Sequence, residues 1–277
     1  MKKDTAYKQA EQKIEQARHE RAVRLNLSGM GLTVVPEALG QLTQLRWLDL
    51  DNNQLTSVPE ALGQLTELQM LYISDNQLKA VPEALGNLTH LKTLLLYSNK
   101  LTAFPETLCK LTQLKVLVLF GNQLTALPEA LGQLTQLQML RLDRNQLMSV
   151  PESLGQLMQL QTLDLHNNQL TLVLESLGQL TRLQALDLSN NQLASLPKSL
   201  RRLENLQKLY LHNNPELNIP PEILGPVWRE VFHDKEQPGS PQAILEYYFR
   251  RKRPLNEAKL ILLGFGKVGK TQGRIAY

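Results

Sequence analysis

The chain contains a single cysteine, Cys109, so no intramolecular disulfide can form. Aromatic residues make up only 5%, too few for a core built on large rings. No apolar run approaches the ~20 residues of a membrane-spanning helix; the longest, around Leu260 to Phe265, falls far short. The opening MKKDTAYKQAEQKIEQ is charged throughout and lacks the apolar centre of a signal peptide. The formal net charge of +4 is mild, and no broad basic face stands outside the two ends. These absences argue against nucleic-acid and membrane partners and point to a reducing, cytoplasmic setting.

What is present is leucine, at fixed intervals. Leu45, Leu68, Leu91, Leu114, Leu137, Leu160, Leu183 and Leu206 each open the pattern L-x-x-[LI]-x-[LI]-x-x-N. Ala22 opens a degenerate first copy, so nine copies of period 23 fill residues 22–220. Leu48 and Leu50 alternate with Trp47, Asp49 and Asp51, the period of two that marks a strand. One strand per coil, stacked at about 4.8 Å, predicts a parallel ladder roughly 40 Å long. The leucines point into the coil and the residues between them point out.

An asparagine follows the strand in the second to ninth copies, from Asn53 through Asn76, Asn99, Asn122, Asn145, Asn168 and Asn191 to Asn214. The chain turns inward there, and an amide side chain offers donors and an acceptor to backbone groups cut off from water. Met30 takes this place in the first copy, as suits an atypical end coil. The second half reads P-E-x-L-G-x-L-T, as in Pro59 to Thr66. Proline suits a first helical turn, so a short helix or 3₁₀ segment is expected on the far side, with Gly63 loosening it. Leu174 replaces the proline in the seventh copy, which predicts a softer coil. Cys109 replaces the glycine in the fourth, as a reduced filler.

Across residues 22–220 the sequence resembles leucine-rich-repeat proteins. The resemblance implies an α/β solenoid, a horseshoe with a concave parallel β-sheet and short helical or 3₁₀ segments on the convex side. Such a stack needs end caps. Ala6, Ala10, Ile14 and Ala17 recur at helical spacing, predicting a capping helix over residues 1–21. Residues 221–254 are read as a C-terminal cap and helical linker. Just before it Leu217 has slipped one residue late, although Pro220 regains the register. Within it Trp228, Val231 and Phe232 supply covering bulk, and a helix starting at Ser240-Pro241 shows Ile244, Leu245 and Tyr248 on one side. The basic run from Arg250 to Arg253 is read as that helix's solvated C-terminus.

Residues 258–263 read as a buried strand leading into Gly264-Phe-Gly-Lys-Val-Gly269-Lys270-Thr271, a match to G-x-x-x-x-G-K-[ST]. Repeats, a helical linker and this strand-and-loop together resemble bacterial Roco proteins, in which leucine-rich repeats precede a Ras-like GTPase domain. The resemblance implies GTP binding and hydrolysis, with Gly264, Gly269, Lys270 and Thr271 as phosphate and magnesium contacts. The sequence stops six residues later, without switch loops or a guanine-reading motif. Residues 255–277 are therefore expected to be a vestigial, disordered or non-functional start of that domain, and the chain a fragment or the product of a shortened gene. No cofactor is expected; GTP and Mg²⁺ enter only with a complete G domain.

With no catalytic set intact, the chain is expected not to be an enzyme but to bind another protein through its outward strand positions. The candidate contact residues are Trp47, Asp49, Met70, Tyr72, Leu95, Tyr97, Val116, Val118, Phe120, Met139 and Arg141. The middle of this face is apolar and rimmed by charge, the usual mark of a partner site. Self-association through the same patch, or a GTPase of which this is the N-terminal portion, are the alternatives. His166 and His212 stand two copies apart, about 10 Å, too far to share an ion. No metal site is expected, and both are read as surface histidines.

Overall fold

The structure is a computed structural model that describes residues 2–227 and 239–251. Nine three-residue strands stack in chain order into one parallel sheet: β1 (Arg24–Asn26), β2 (Trp47–Asp49), β3 (Met70–Tyr72), β4 (Thr93–Leu95), β5 (Val116–Val118), β6 (Met139–Arg141), β7 (Thr162–Asp164), β8 (Ala185–Asp187) and β9 (Lys208–Tyr210). The register advances by one repeat at every step, with Leu48 opposite Leu71, then Leu94 and Leu117. The middle residue of every strand is buried, and the sheet stays open rather than closing on itself.

The far side of each coil is a 3₁₀ turn, such as Glu60–Gln64 or Glu83–Asn87. The proline ahead of it holds an extended backbone, for instance φ −70° and ψ 149° at Pro59. Leu174 adopts φ −74° and ψ 146°, and its turn Glu175–Gln179 forms like the others, so the loss of the proline leaves the backbone path of that coil unchanged. The repeat glycine owes its place to crowding rather than to loosening: a Cβ on Gly63 would lie 2.4 Å from the Ala84 carbonyl oxygen. Cys109 is buried at one of these positions, and burial, then the Glu106 charge, pushes its thiol up to about 11.

Each asparagine ties two coils together. Asn122 Oδ1 accepts from the Leu101 amide at 3.0 Å, while Nδ2 donates to the carbonyls of Leu96 and Leu119, each at 3.0 Å. The same set recurs from Asn53 to Asn214, satisfying backbone groups that no water reaches. The residue before each asparagine is left-handed, from Asn52 at φ 56° to Asn213 at φ 56°. Met30, in the first copy, instead packs half-buried against the core.

Helix α1 (Lys2–His19) lies over the first coil with Ala10, Ile14 and Ala17 buried. Past β9 come a 3₁₀ turn, Pro215–Leu217, and the short α2 (Pro221–Leu224). Helix α3 (Pro241–Arg251) buries Ile244, Leu245 and Tyr248, and the Tyr248 hydroxyl accepts from the Leu196 amide at 3.0 Å. Its basic end is not wholly solvated, because Arg251 donates to the Asn218 carbonyl at 2.7 Å. Trp228, Val231 and Phe232, expected to add cover, lie outside the described residues, as do Gly264, Gly269, Lys270 and Thr271 of the phosphate loop.

Candidate functional site

Parallel register turns the outward residues into rows that run across the sheet. The first strand positions make one row, with Trp47, Met70, Thr93, Val116 and Met139 in sequence. The last strand positions make a second, from Asp49 through Tyr72, Leu95, Val118, Arg141 and Asp164 to Asp187 and Tyr210. Two residues further along each coil a third row carries Tyr97, Phe120, Asp143, His166 and His212, held in line by bonds such as Ser98 N–H to the Phe120 carbonyl.

The aromatic side chains of these rows meet in pairs. Tyr97 and Phe120 stack with centroids 4.6 Å apart and planes 5° from parallel. Trp47 meets Tyr72 edge-on at 5.8 Å, with the Arg24 guanidinium 4.7 Å from the Trp47 centroid. Arg141 covers the other end, 4.7 Å from the Phe120 centroid. Most of the predicted contact residues are half-buried, and Met70, at 39%, is the most exposed. Val118 is a correction: at 7% exposed it is buried, because the longer Leu95 and Arg141 flank it in register. The apolar middle partly covers itself, and its accessible part is Tyr97, Phe120, Leu95 and Val116.

Beyond Arg141 the face becomes acidic. The Arg141 guanidinium lies 3.2 Å from Asp143 Oδ1 and 3.4 Å from Asp164 Oδ2. His166 Nδ1 is 2.9 Å from Asp164 Oδ1, 3.9 Å from Asp143 Oδ2 and 4.0 Å from Asp187 Oδ2. Burial, then repulsion from Asp164, pushes the Asp143 carboxyl up to about 6; Asp187 is raised for the same reasons. Burial opposes a charge on His166, but the hydrogen bond to Asp164 and the three carboxylates outweigh it and hold its pKa above the usual value. These groups, with Phe120, Arg144, Ser189, Asn190, His212, Asn213 and Val227, line a cleft of about 670 Å³.

His166 is thus no free surface side chain. Comparing the two histidines in the sequence misses this cluster: His212 turns its Nε2 to the Gly225 carbonyl at 2.8 Å, and the groups around His166 are Asp164 of its own coil and Asp143 and Asp187 of the flanking ones. The signal was present in the repeat, since Arg141, Asp164 and Asp187 are register partners and Asp143 and His166 are one period apart.

An open stack of coils with a polar-and-aromatic sheet face defines a repeat solenoid, a fold that generally serves as a non-enzymatic scaffold for binding proteins. The chain belongs to the leucine-rich-repeat family: the profile of the leucine-rich repeat region matches residues 21–117 and 82–227. Among solved structures it is similar to a leucine-rich-repeat protein of Leptospira interrogans, with 34% identity and a TM-score of 0.67 over 76% of this chain and 60% of that one. It is similar to internalin C2 of Listeria monocytogenes, with 30% identity and a TM-score of 0.60 over 68% and 80% of the two chains. A third likeness is the repeat ectodomain of the Arabidopsis thaliana membrane receptor kinase GASSHO1/SCHENGEN3, solved in complex with CASPARIAN STRIP INTEGRITY FACTOR 2. It shows 34% identity and a TM-score of 0.58 over 69% of this chain and 27% of that one. This chain therefore spans about three fifths of the length of the Leptospira chain and about a quarter of the Arabidopsis one. A comparison with curated protein sequences finds no match. Among the described residues, no helix is long and apolar enough to cross a membrane.

Proposed function

We propose that the chain is a protein-interaction module that takes a partner on the open face of its sheet, and that it forms the regulatory part of a Roco-like protein. The observation that carries this is the half-exposed Tyr97–Phe120 stack, clamped by Arg141 and continuous with an acidic cleft. Aromatic rings and arginine at the centre of a face, with charge around them, are the usual anchors of protein binding. The Arabidopsis ectodomain in complex with its factor is a repeat structure that receives a partner, which supports the same use here. A cytoplasmic setting, expected from the sequence, is part of the proposal.

The test is capture from the source cell by wild-type chain against Phe120→Asp and Tyr97→Asp, with light scattering on each. Specific capture that the substitutions abolish, with melting unchanged, is the expected result. A wild-type dimer that Phe120→Asp dissociates, with no captured partner, favours self-association instead. The phosphate-loop motif favours one further reading, the N-terminal portion of a GTP-binding protein. Micromolar binding of labelled GTP with Mg²⁺, lost in Lys270→Ala, would establish it.

A further inference from the structure

The acidic cleft converges on one nitrogen. A zinc-like ion with bonds of about 2.1 Å holds its ligand atoms roughly 3 to 4 Å apart. Three carboxylate oxygens already stand 2.9, 3.9 and 4.0 Å from His166 Nδ1. One ligand atom each from Asp143, Asp164 and His166 lie within 4.8 Å of one another. Seating an ion between Nδ1 and these oxygens therefore needs only small side-chain movement.

Two buried polar atoms add an independent reason for a ligand. Asp143 is 2% exposed, and its Oδ1 has Arg141 as an ion-pair neighbour but no hydrogen-bond partner among the described residues. Tyr210, also 2% exposed, stands in register with Asp187, and its hydroxyl finds no hydrogen-bond partner among the described residues. Buried polar groups are seldom left unsatisfied unless something else binds there. Three carboxylates converge on the one imidazole, a mixed oxygen-and-nitrogen set of the kind that holds a divalent cation.

We propose that Asp143, Asp164 and His166 bind a single divalent transition-metal ion, with Asp187 as a further oxygen ligand and the cleft side left open to water or to a partner. An imidazole among the ligands favours zinc, cobalt or nickel over magnesium or calcium. This goes beyond the partner reading and does not depend on it.

The experiment is a titration of untagged full chain with Zn²⁺ alone against a chromophoric chelator at neutral pH, repeated with Mg²⁺ and Ca²⁺. The expected result is one zinc per chain in the micromolar range, with much weaker magnesium and calcium. His166→Ala and Asp143→Asn should each weaken zinc at least ~10-fold, while His212→Ala leaves it unchanged. His166 is half-buried, so its alanine variant should keep the wild-type circular dichroism even if Asp143→Asn does not. Co²⁺ in place of zinc gives a second readout, a visible absorption band that His166→Ala removes. Absence of saturable zinc binding by the wild type, or zinc binding that survives His166→Ala in a folded chain, overturns the proposal.

Discussion

Asp51 shows how a single side chain sets a pH dependence. It stands in the third row, beside Asp49 and Asp75, and accepts a hydrogen bond from the Ser74 amide. Burial is the largest influence and, with the neighbouring charges, outweighs that bond and pushes its carboxyl up to about 6 from 3.8. A carboxyl raised in the folded state binds more protons there than in the unfolded chain. Its contribution to stability is therefore full below pH 3.8 and is lost as pH rises through about 6. Asp51→Asn keeps an oxygen for Ser74 and removes the charge. Thermal melts should show the variant more stable than wild type at pH 7.5, by roughly 1 kcal/mol after screening by solvent. The difference should vanish towards pH 4; an equal gain at both pH values would mean that charge is not the cause. This strain was not legible in the sequence, which shows paired aspartates on an open face and nothing of their burial. The His166 cluster was hidden for a related reason. Alternation along each strand turns these residues outward, but chemistry there depends on neighbours in adjacent coils, so the rows matter more than any one strand.

At the scale of the element, the repeat was readable because two periods coincide. Alternation of two defines each strand, and the interval of 23 fixes its register, so Leu48, Leu71 and Leu94 fall in line. The asparagine ladder followed from the same logic, because a recurring amide at an inward turn has few other uses. The far-side turn was legible as short and helical, but the purpose of its glycine was not. That residue has no special backbone angle to betray it; the requirement comes from the next coil. A Cβ on Gly178 would sit 2.3 Å from Ser199 Cβ and 2.6 Å from the Ser199 carbonyl. Since backbone has to shift to admit it, Gly178→Ala should cost about 1–3 kcal/mol, despite alanine's better helical propensity. Denaturant unfolding checks this. A neutral or stabilising result would show that the turns slide apart freely and that crowding does not explain the glycine.

At the scale of the molecule, each coil touches only its neighbours along the sheet, so stability should be distributed along the stack rather than shared equally. The ends differ in how they are finished. Helix α1 seals the first coil with Ala10, Ile14 and Ala17, whereas α3 reaches the last coils through Tyr248 and Arg251. Ile14 is 1% exposed and is the largest side chain that α1 buries there. An aspartate in its place brings an unpaired charge to the seam and removes most of the apolar contact, at a cost of about 3 kcal/mol. In a single cooperative globule that loss would appear at every amide. In a stack it should be confined: hydrogen exchange at β1 and β2 should quicken by up to ~100-fold, while amides of β6 to β8 keep wild-type protection. Uniform acceleration from β1 to β9 would show that the solenoid opens as one unit. In that case end caps would govern the sheet face as a whole, including the Tyr97–Phe120 stack on the fourth and fifth coils, beyond reach of the helix itself.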